Sequence, residues 1–337
     1  MRRLLAVLLT VIILLPIQAS AASDSLWDEA RVFDEIGTYG GTIGGISIDM
    51  NNTSDELTLN QSSVAHLPRI VEVYTATWCL NCVKTEQALD EALENLGMVQ
   101  SHDVTRIHYH RYLYETLDPF GSNSTDSRWV DSYGSGSLLS TDRSYESSDG
   151  RTVQITGTER SAPSKVFDGQ RMYTGTSTKS NSLQTDYQTA LHMFPSHPFS
   201  HYDSSLQLAV LQDNEAPELS SFQWNISLFS GMENWEITSW LMFVENSAYF
   251  PEGSNGKGNY SHVLHEAINI GSQNASSILL DPPEPWDGDD MSVILLVDWT
   301  IRSPTDANSI PAPALSTLLC MLAALVPRRD RFSEPMQ

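Results

Sequence analysis

The chain has 337 residues, with 42 acidic against 19 basic side chains and a formal net charge of −23. That length accommodates about two ordinary domains plus processing segments. So acidic a chain repels phosphate backbones and anionic headgroups, which excludes nucleic acid as a partner class.

In chain order, Arg2 and Arg3, an apolar run from Leu4 to Ile17 and the small residues Ala19-Ser20-Ala21-Ala22 read as an export signal over 1–22. The run falls short of the roughly twenty residues a membrane span needs, so cleavage is expected rather than anchoring. The mature protein then works outside the cytoplasm, where disulfides persist. Asn-x-Ser/Thr triplets, for example at Asn60, Asn123 and Asn225, are compatible with surface glycosylation there. Residues 23–67 are rich in Gly, Asn and Ser. Two possible strands at 46–50 and 56–59 bracket the turn-prone Asn51-Asn52-Thr53-Ser54, which predicts a small hairpin ahead of the main domain.

The most informative stretch follows. Ile70 to Tyr74 is β-branched and aromatic, as a short buried strand requires, and Val83, Leu89, Ala92, Leu93 and Leu96 recur on one helical face. Between them stands Trp78-Cys79-Leu80-Asn81-Cys82. A Cys-x-x-Cys pair on the first turn of a helix meets the positive end of the helix dipole and its free N–H groups, which favour a thiolate. Cys79 is read as the exposed attacking thiol and Cys82 as the thiol that resolves the mixed disulfide. Zinc would need four ligands, and the remaining cysteine, Cys320, lies in an apolar tail, so no metal is assigned. A structural disulfide is the other reading, although so short a loop constrains the unfolded chain little.

Farther on, 104–113 alternates as a second strand with His108 and His110 on one face, to which hydrogen-bonded or solvated roles are assigned rather than metal ligation. Residues 127–133 suggest a short helix or turn, and 135–157 a Ser/Gly/Asp-rich inserted loop or strand pair. Ala162-Pro163 then leads a short strand into Asp168-Gly169, a hairpin turn, and 183–193 predicts a closing helix.

Trp78, the two cysteines, the strand before them and the helix after them resemble the thioredoxin-like superfamily. The resemblance implies a thiol-disulfide oxidoreductase that needs no cofactor, since the sulfurs carry the electrons. It implies a cis proline at Pro163 that packs against the sulfurs, so that Trp78, Ala162 and Pro163 shape the edge where substrate docks. It departs at Val73, where the family often keeps a buried acid; the neighbouring Glu72 should face the other side of the strand.

From 195 to 302 the texture is all-β. Runs at 206–212, 222–229, 235–245, 262–269 and 291–301, separated by turn residues, predict an immunoglobulin-like sandwich. His262 and His265, three apart on a strand, face opposite sides and receive no ligand role. The acidic, proline-rich Asp281 to Asp290 lacks an EF-hand pattern and reads as a solvated loop. The order of these runs, with a glycine-rich hairpin at 253–258 and Trp286 ahead of the last strand, resembles the Omp28-like surface proteins. The expected fold class is therefore an α/β thioredoxin-like domain over 68–194, followed by an all-β immunoglobulin-like sandwich over 195–303.

At the end, Ile310-Pro311-Ala312-Pro313, an apolar run from Ala314 to Val326 and the basic Arg328, Arg329 and Arg331 resemble a PEP-CTERM-like sorting tail over 304–337. It implies a protein held at the outer face of a prokaryotic membrane. The partners expected are disulfide- or thiol-containing exported proteins, a redox partner for recycling, and the membrane through this tail. A non-catalytic surface scaffold with a structural Cys79–Cys82 disulfide is the rival reading.

Overall fold

Strand β4 (Arg69–Thr75) alternates its side chains between two layers, and that alternation organises the first half of the molecule. Val71 and Val73 pack beneath helix α1 (Leu80–Leu96), with Leu89, Ala92 and Leu93 of the helix and Tyr187 and Leu191 of helix α3 (Leu183–His192). Tyr74 points the other way and stacks on Trp129 of helix α2 (Asn123–Ser137), ring centroids 4.9 Å apart. Glu72 shares Tyr74's side, as the alternation predicts; it accepts hydrogen bonds from the hydroxyls of Tyr109 and Tyr133. Helix α1 ends at Gly97, whose φ of 64° supplies the left-handed cap that a side chain would resist.

The computed structural model describes residues 28–302 apart from 30–37, 54–55, 112–117, 147–151, 161, 194–196, 200–202, 217, 232, 234 and 289. The signal and sorting segments expected at 1–22 and 304–337 lie outside the described residues. No described helix is long and apolar enough to cross a membrane.

Fifteen strands are described against three α-helices. In chain order, the remaining strands are β1 (Asp28–Glu29), β2 (Thr38–Asp49), β3 (Thr58–Ser63), β5 (Val104–His110), β6 (Leu138–Glu146), β7 (Thr152–Arg160), β8 (Ser164–Phe167) and β9 (Arg171–Thr174). They continue with β10 (Ser205–Gln212), β11 (Ser220–Ser227), β12 (Trp235–Tyr249), β13 (Asn259–Gly271), β14 (Ala275–Leu280) and β15 (Met291–Arg302). A nine-stranded mixed sheet has the order β1-β9-β8-β4-β5-β13-β12-β15-β2, a four-stranded sheet the order β14-β11-β10-β3, and β6 and β7 form a separate ribbon.

This arrangement corrects the expected fold class. The chain is not an α/β thioredoxin-like domain followed by a separate immunoglobulin-like sandwich; it is mostly β, and one sheet runs through both halves. The junction is a parallel pairing of β5 with β13, with Val263 opposite His108. Periodicity along a sequence marks strands but not which edges meet, so the edge of β5 reads as a boundary when it is an interior seam. A single apolar cluster spans that seam, joining Ile107 and Trp129 to Met242, Leu264 and Leu296.

The hairpin expected within 23–67 is also corrected. β2 pairs with β15 on the nine-stranded sheet, whereas β3 pairs with β10 on the other, so the turn between them carries the chain from layer to layer. Those layers close on a shared core in which Ile46 and Ile48 meet Leu208, Phe222, Phe243 and Leu295. Strand β14, absent from the expected set, completes the four-stranded sheet against β11. Where α2 meets the large sheet, the fully buried Arg128 lies 2.9 Å from Asp298 of β15 and 3.5 Å from Glu72 of β4, a charged link between the first and last thirds of the chain.

Candidate active site

Beyond Thr75 the chain leaves the sheet and turns into α1, with Cys79 as the helix N-cap. Cys79 Sγ accepts the backbone N–H of Cys82 at 3.1 Å, so the sulfur satisfies a donor that a helix start would otherwise leave free. The two cysteines are joined by a disulfide, Cα atoms 5.3 Å apart. Here the expectation of an exposed Cys79 needs correcting: Cys79 is only 7% exposed and Cys82 1%, while Leu80 between them is 65% exposed. Ala76, Trp78 and Ala162 pack around both cysteines and take up the space that solvent would fill.

All five residues singled out from the sequence lie in this neighbourhood. Ala162 touches the cysteine cluster, and the Ala162–Pro163 peptide bond is cis, the geometry the resemblance implies. The Pro163 carbonyl is occupied by the N–H of Gly175 at 2.8 Å. Trp78 is half-buried, with the Arg111 guanidinium 5.5 Å from its ring centre.

The sequence gives little sign of the residues that hold this loop. The N–H of Thr77 donates to Asp118 Oδ2 at 2.5 Å, and the other oxygen of Asp118 lies 3.0 Å from His110 Nδ1. Burial opposes the charge on Asp118, but His110 and the backbone donors outweigh it and hold the carboxyl below its ordinary value. More unexpected is the contribution of the far half. The connection between β12 and β13 folds over the loop ahead of Cys79: Asn255 donates its N–H to the Thr77 carbonyl at 3.1 Å and its side-chain amide to the Ala76 carbonyl at 3.2 Å. Tyr260 Oη donates to Asn255 Oδ1 at 2.8 Å and lies 3.3 Å from the Thr77 carbonyl. At Gly253 an added Cβ would lie 2.0 Å from that hydroxyl, so this close approach requires glycine. Glycines at 253, 256 and 258 were the available sequence signal, and they mark the turn without telling what it covers.

Beneath the helix lies a charge cluster in which Glu86 and Lys165 are buried and Lys257 is partly exposed. Glu86, one turn beyond Cys82, accepts the Thr75 hydroxyl at 2.6 Å and pairs with Lys257 of the same β12–β13 connection. Lys165 of β8, opposite Val73 in the sheet, donates to Thr85 Oγ1 at 2.7 Å. Burial disfavours charge on Glu86, yet Lys257, Thr75 and Lys165 together hold its carboxyl below the ordinary glutamate value. Burial also pushes Lys165 down to about 7, against the pull of Glu86 and Asp90.

His108 lies on the far side of Val73, its ring 5.7 Å from that of His262. Both are buried rather than solvated, and burial drives both below the ordinary histidine value, His262 to about 3. His265 turns away to Glu245, 2.6 Å distant. Among the described residues no group of three or more His, Cys, Asp or Glu is arranged to hold a metal ion.

No protein-family model and no curated protein matches the chain. Among solved structures, HBP35 of Porphyromonas gingivalis is similar at 14% identity, over 73% of this chain and 79% of that one, with a TM-score of 0.40. At that degree of overlap the likeness implies neither fold nor function.

Proposed function

We propose that the protein is an exported, surface-held thiol-disulfide oxidoreductase that exchanges disulfides with other exported proteins through Cys79 and Cys82. The observation that carries this reading is the placement of a disulfide at a helix start, with Cys79 Sγ accepting the Cys82 N–H. A thiolate released there is stabilised by the same N–H and by the helix dipole, which makes Cys79 the better nucleophile and leaving group of the pair. Trp78 and Ala162, both half-buried, would form the rim a client peptide meets, with Pro163 buried behind them. The reaction needs no cofactor. A redox partner would recycle the pair, the C-terminal segment would tie the protein to a membrane, and nucleic acid is no partner of so acidic a chain.

The near-complete burial of both sulfurs favours a second reading, a surface scaffold with a structural disulfide. A Cys82→Ser variant separates the two. Exchange predicts that disulfide-linked adducts build up on Cys79 in the presence of oxidised exported proteins and dissolve with dithiothreitol. A Cys79 that forms no adduct and resists alkylation leaves the scaffold.

A further inference from the structure

A pocket of about 250 Å³ lies between α2 and the large sheet, and none of its residues belongs to the cysteine site. On the helix side stands Asp131, one turn beyond Arg128. The sheet side follows from register and period. Thr238 of β12 pairs with Asp298 of β15 and Glu236 with Thr300, so alternate residues bring Thr238, Trp240, Asp298 and Thr300 to the face that α2 covers. Arg128 confirms that face, since it reaches both Asp298 and the Trp240 ring. Asn269 of β13, opposite Trp240, completes the wall.

Two observations bear on what such a pocket takes. The first is charge. Arg128 is shared between Asp298 and Glu72, while Asp131 and Glu236 stand exposed on the solvent side. Carboxylates therefore outnumber the guanidinium around the pocket, and the potential inside it selects a cation. Both oxygens of Asp298 are engaged, Oδ1 by the Thr42 hydroxyl and Oδ2 by Arg128, each at 2.9 Å, so an incoming cation falls to Asp131. The second is a donor. Trp240 is 6% exposed, and its Nε1–H has no hydrogen-bond partner among the described residues. A buried indole N–H can only donate, so it calls for an acceptor brought from outside.

We propose that this pocket binds a small hydroxylated ammonium of the amino alcohol or amino sugar class. The ammonium sits against Asp131 and the hydroxyls of Thr238 and Thr300, and a neighbouring hydroxyl of the ligand accepts the Trp240 N–H. A plain alkylammonium leaves the indole donor unmet. A neutral polyol leaves the negative potential unanswered. The volume falls under the roughly 300–1,000 Å³ of pockets for drug-sized ligands, which limits the occupant to about one sugar ring. The site is independent of the exchange reaction and survives its failure.

The test uses the full chain with its disulfide intact, at pH 6, where both probe amines are protonated. Glucosamine, ethanolamine and glucose are titrated in turn while the indole N–H signals are followed by nitrogen-15 NMR. The Trp240 signal is assigned by its through-bond connection to the Trp240 backbone, which needs no variant. It should shift saturably with glucosamine, with ethanolamine or with both. Saturation by glucosamine alone assigns a sugar ring, and saturation by ethanolamine assigns the amino alcohol. Glucose should bind the wild type at least about tenfold more weakly than the better amine, and Asp131→Asn, at an exposed helix position, should weaken that amine by a similar factor. No saturable shift with either amine overturns the proposal. So does glucose that binds as well as the amines, or an Asp131→Asn variant that binds them as the wild type does.

Discussion

Asn255 donates its side-chain amide to the carbonyl oxygen of Ala76 at 3.2 Å across 179 positions of sequence, which makes the loop leading into Cys79 a joint product of both halves of the chain. Asn255→Ala would remove this bond and the two that its side-chain carbonyl accepts, from Tyr260 Oη at 2.8 Å and from the N–H of Lys257 at 3.0 Å, and would leave the backbone bond to Thr77 in place. Thermal or urea unfolding should report a loss of about 1–2 kcal/mol. Amide exchange at Thr77 and Cys79 should quicken before exchange in the strands does. Equal exchange in the two proteins would mean that the connection only rests on the loop.

Arg128 lies between Asp298 and Glu72 with its guanidinium 4.8 Å from the Trp240 ring centre, and all three charges are buried. Arg128→Met should cost about 3–5 kcal/mol, because two carboxylates are then left without their cation. Adding Glu72→Gln and Asp298→Asn to that variant should recover a measurable part of the loss. Denaturant titration of the three proteins checks both steps.

Lys165 gives a pH dependence of definite sign. Its folded value is depressed to about 7 from an ordinary 10.5. Below pH 7 both states hold the proton, and burial costs stability in full. Between about 7 and 10.5 the unfolded chain keeps a proton that the folded one has released, so stability rises with pH. The stability of Lys165→Met relative to wild type should therefore be greatest below pH 7, on the order of a few kcal/mol, and shrink as pH approaches 10.5. Parallel stability curves for the two proteins would show that this ammonium is not desolvated.

His108 and His262 act on the acid side. Both are depressed below the ordinary histidine value of 6.5, His262 to about 3, because burial disfavours the imidazolium. As pH falls from 6.5 toward 3, the unfolded chain takes up protons that the folded imidazoles refuse, and stability drops. His262→Gln should flatten this descent, read as a smaller loss of unfolding free energy between pH 6.5 and 4 than in the wild type.

Much of the local architecture was legible. The strand into Cys79, the helix after Cys82, the Pro163 strand with its Asp168-Gly169 turn and the helix at Leu183–His192 all follow from short-range periodicity and turn chemistry. Long-range pairing was not legible. Nothing in Thr38–Asp49 or Thr58–Ser63 tells that neighbouring strands enter different sheets, because that choice depends on which distant edges lie open. For the same reason Lys257 and Asn255 reads as turn residues until the fold carries them to Glu86 and Ala76.

The pairing of Val263 with His108 makes the chain indivisible in practice. Expressing the first 194 residues alone would leave β5 with a raw rim of unpaired amides and carbonyls, and would strip away the partners of β2 and β3 as well. Such rims recruit other chains, so each fragment should clump rather than fold. Shortening this protein for crystallisation or engineering would have to begin outside residues 28–302.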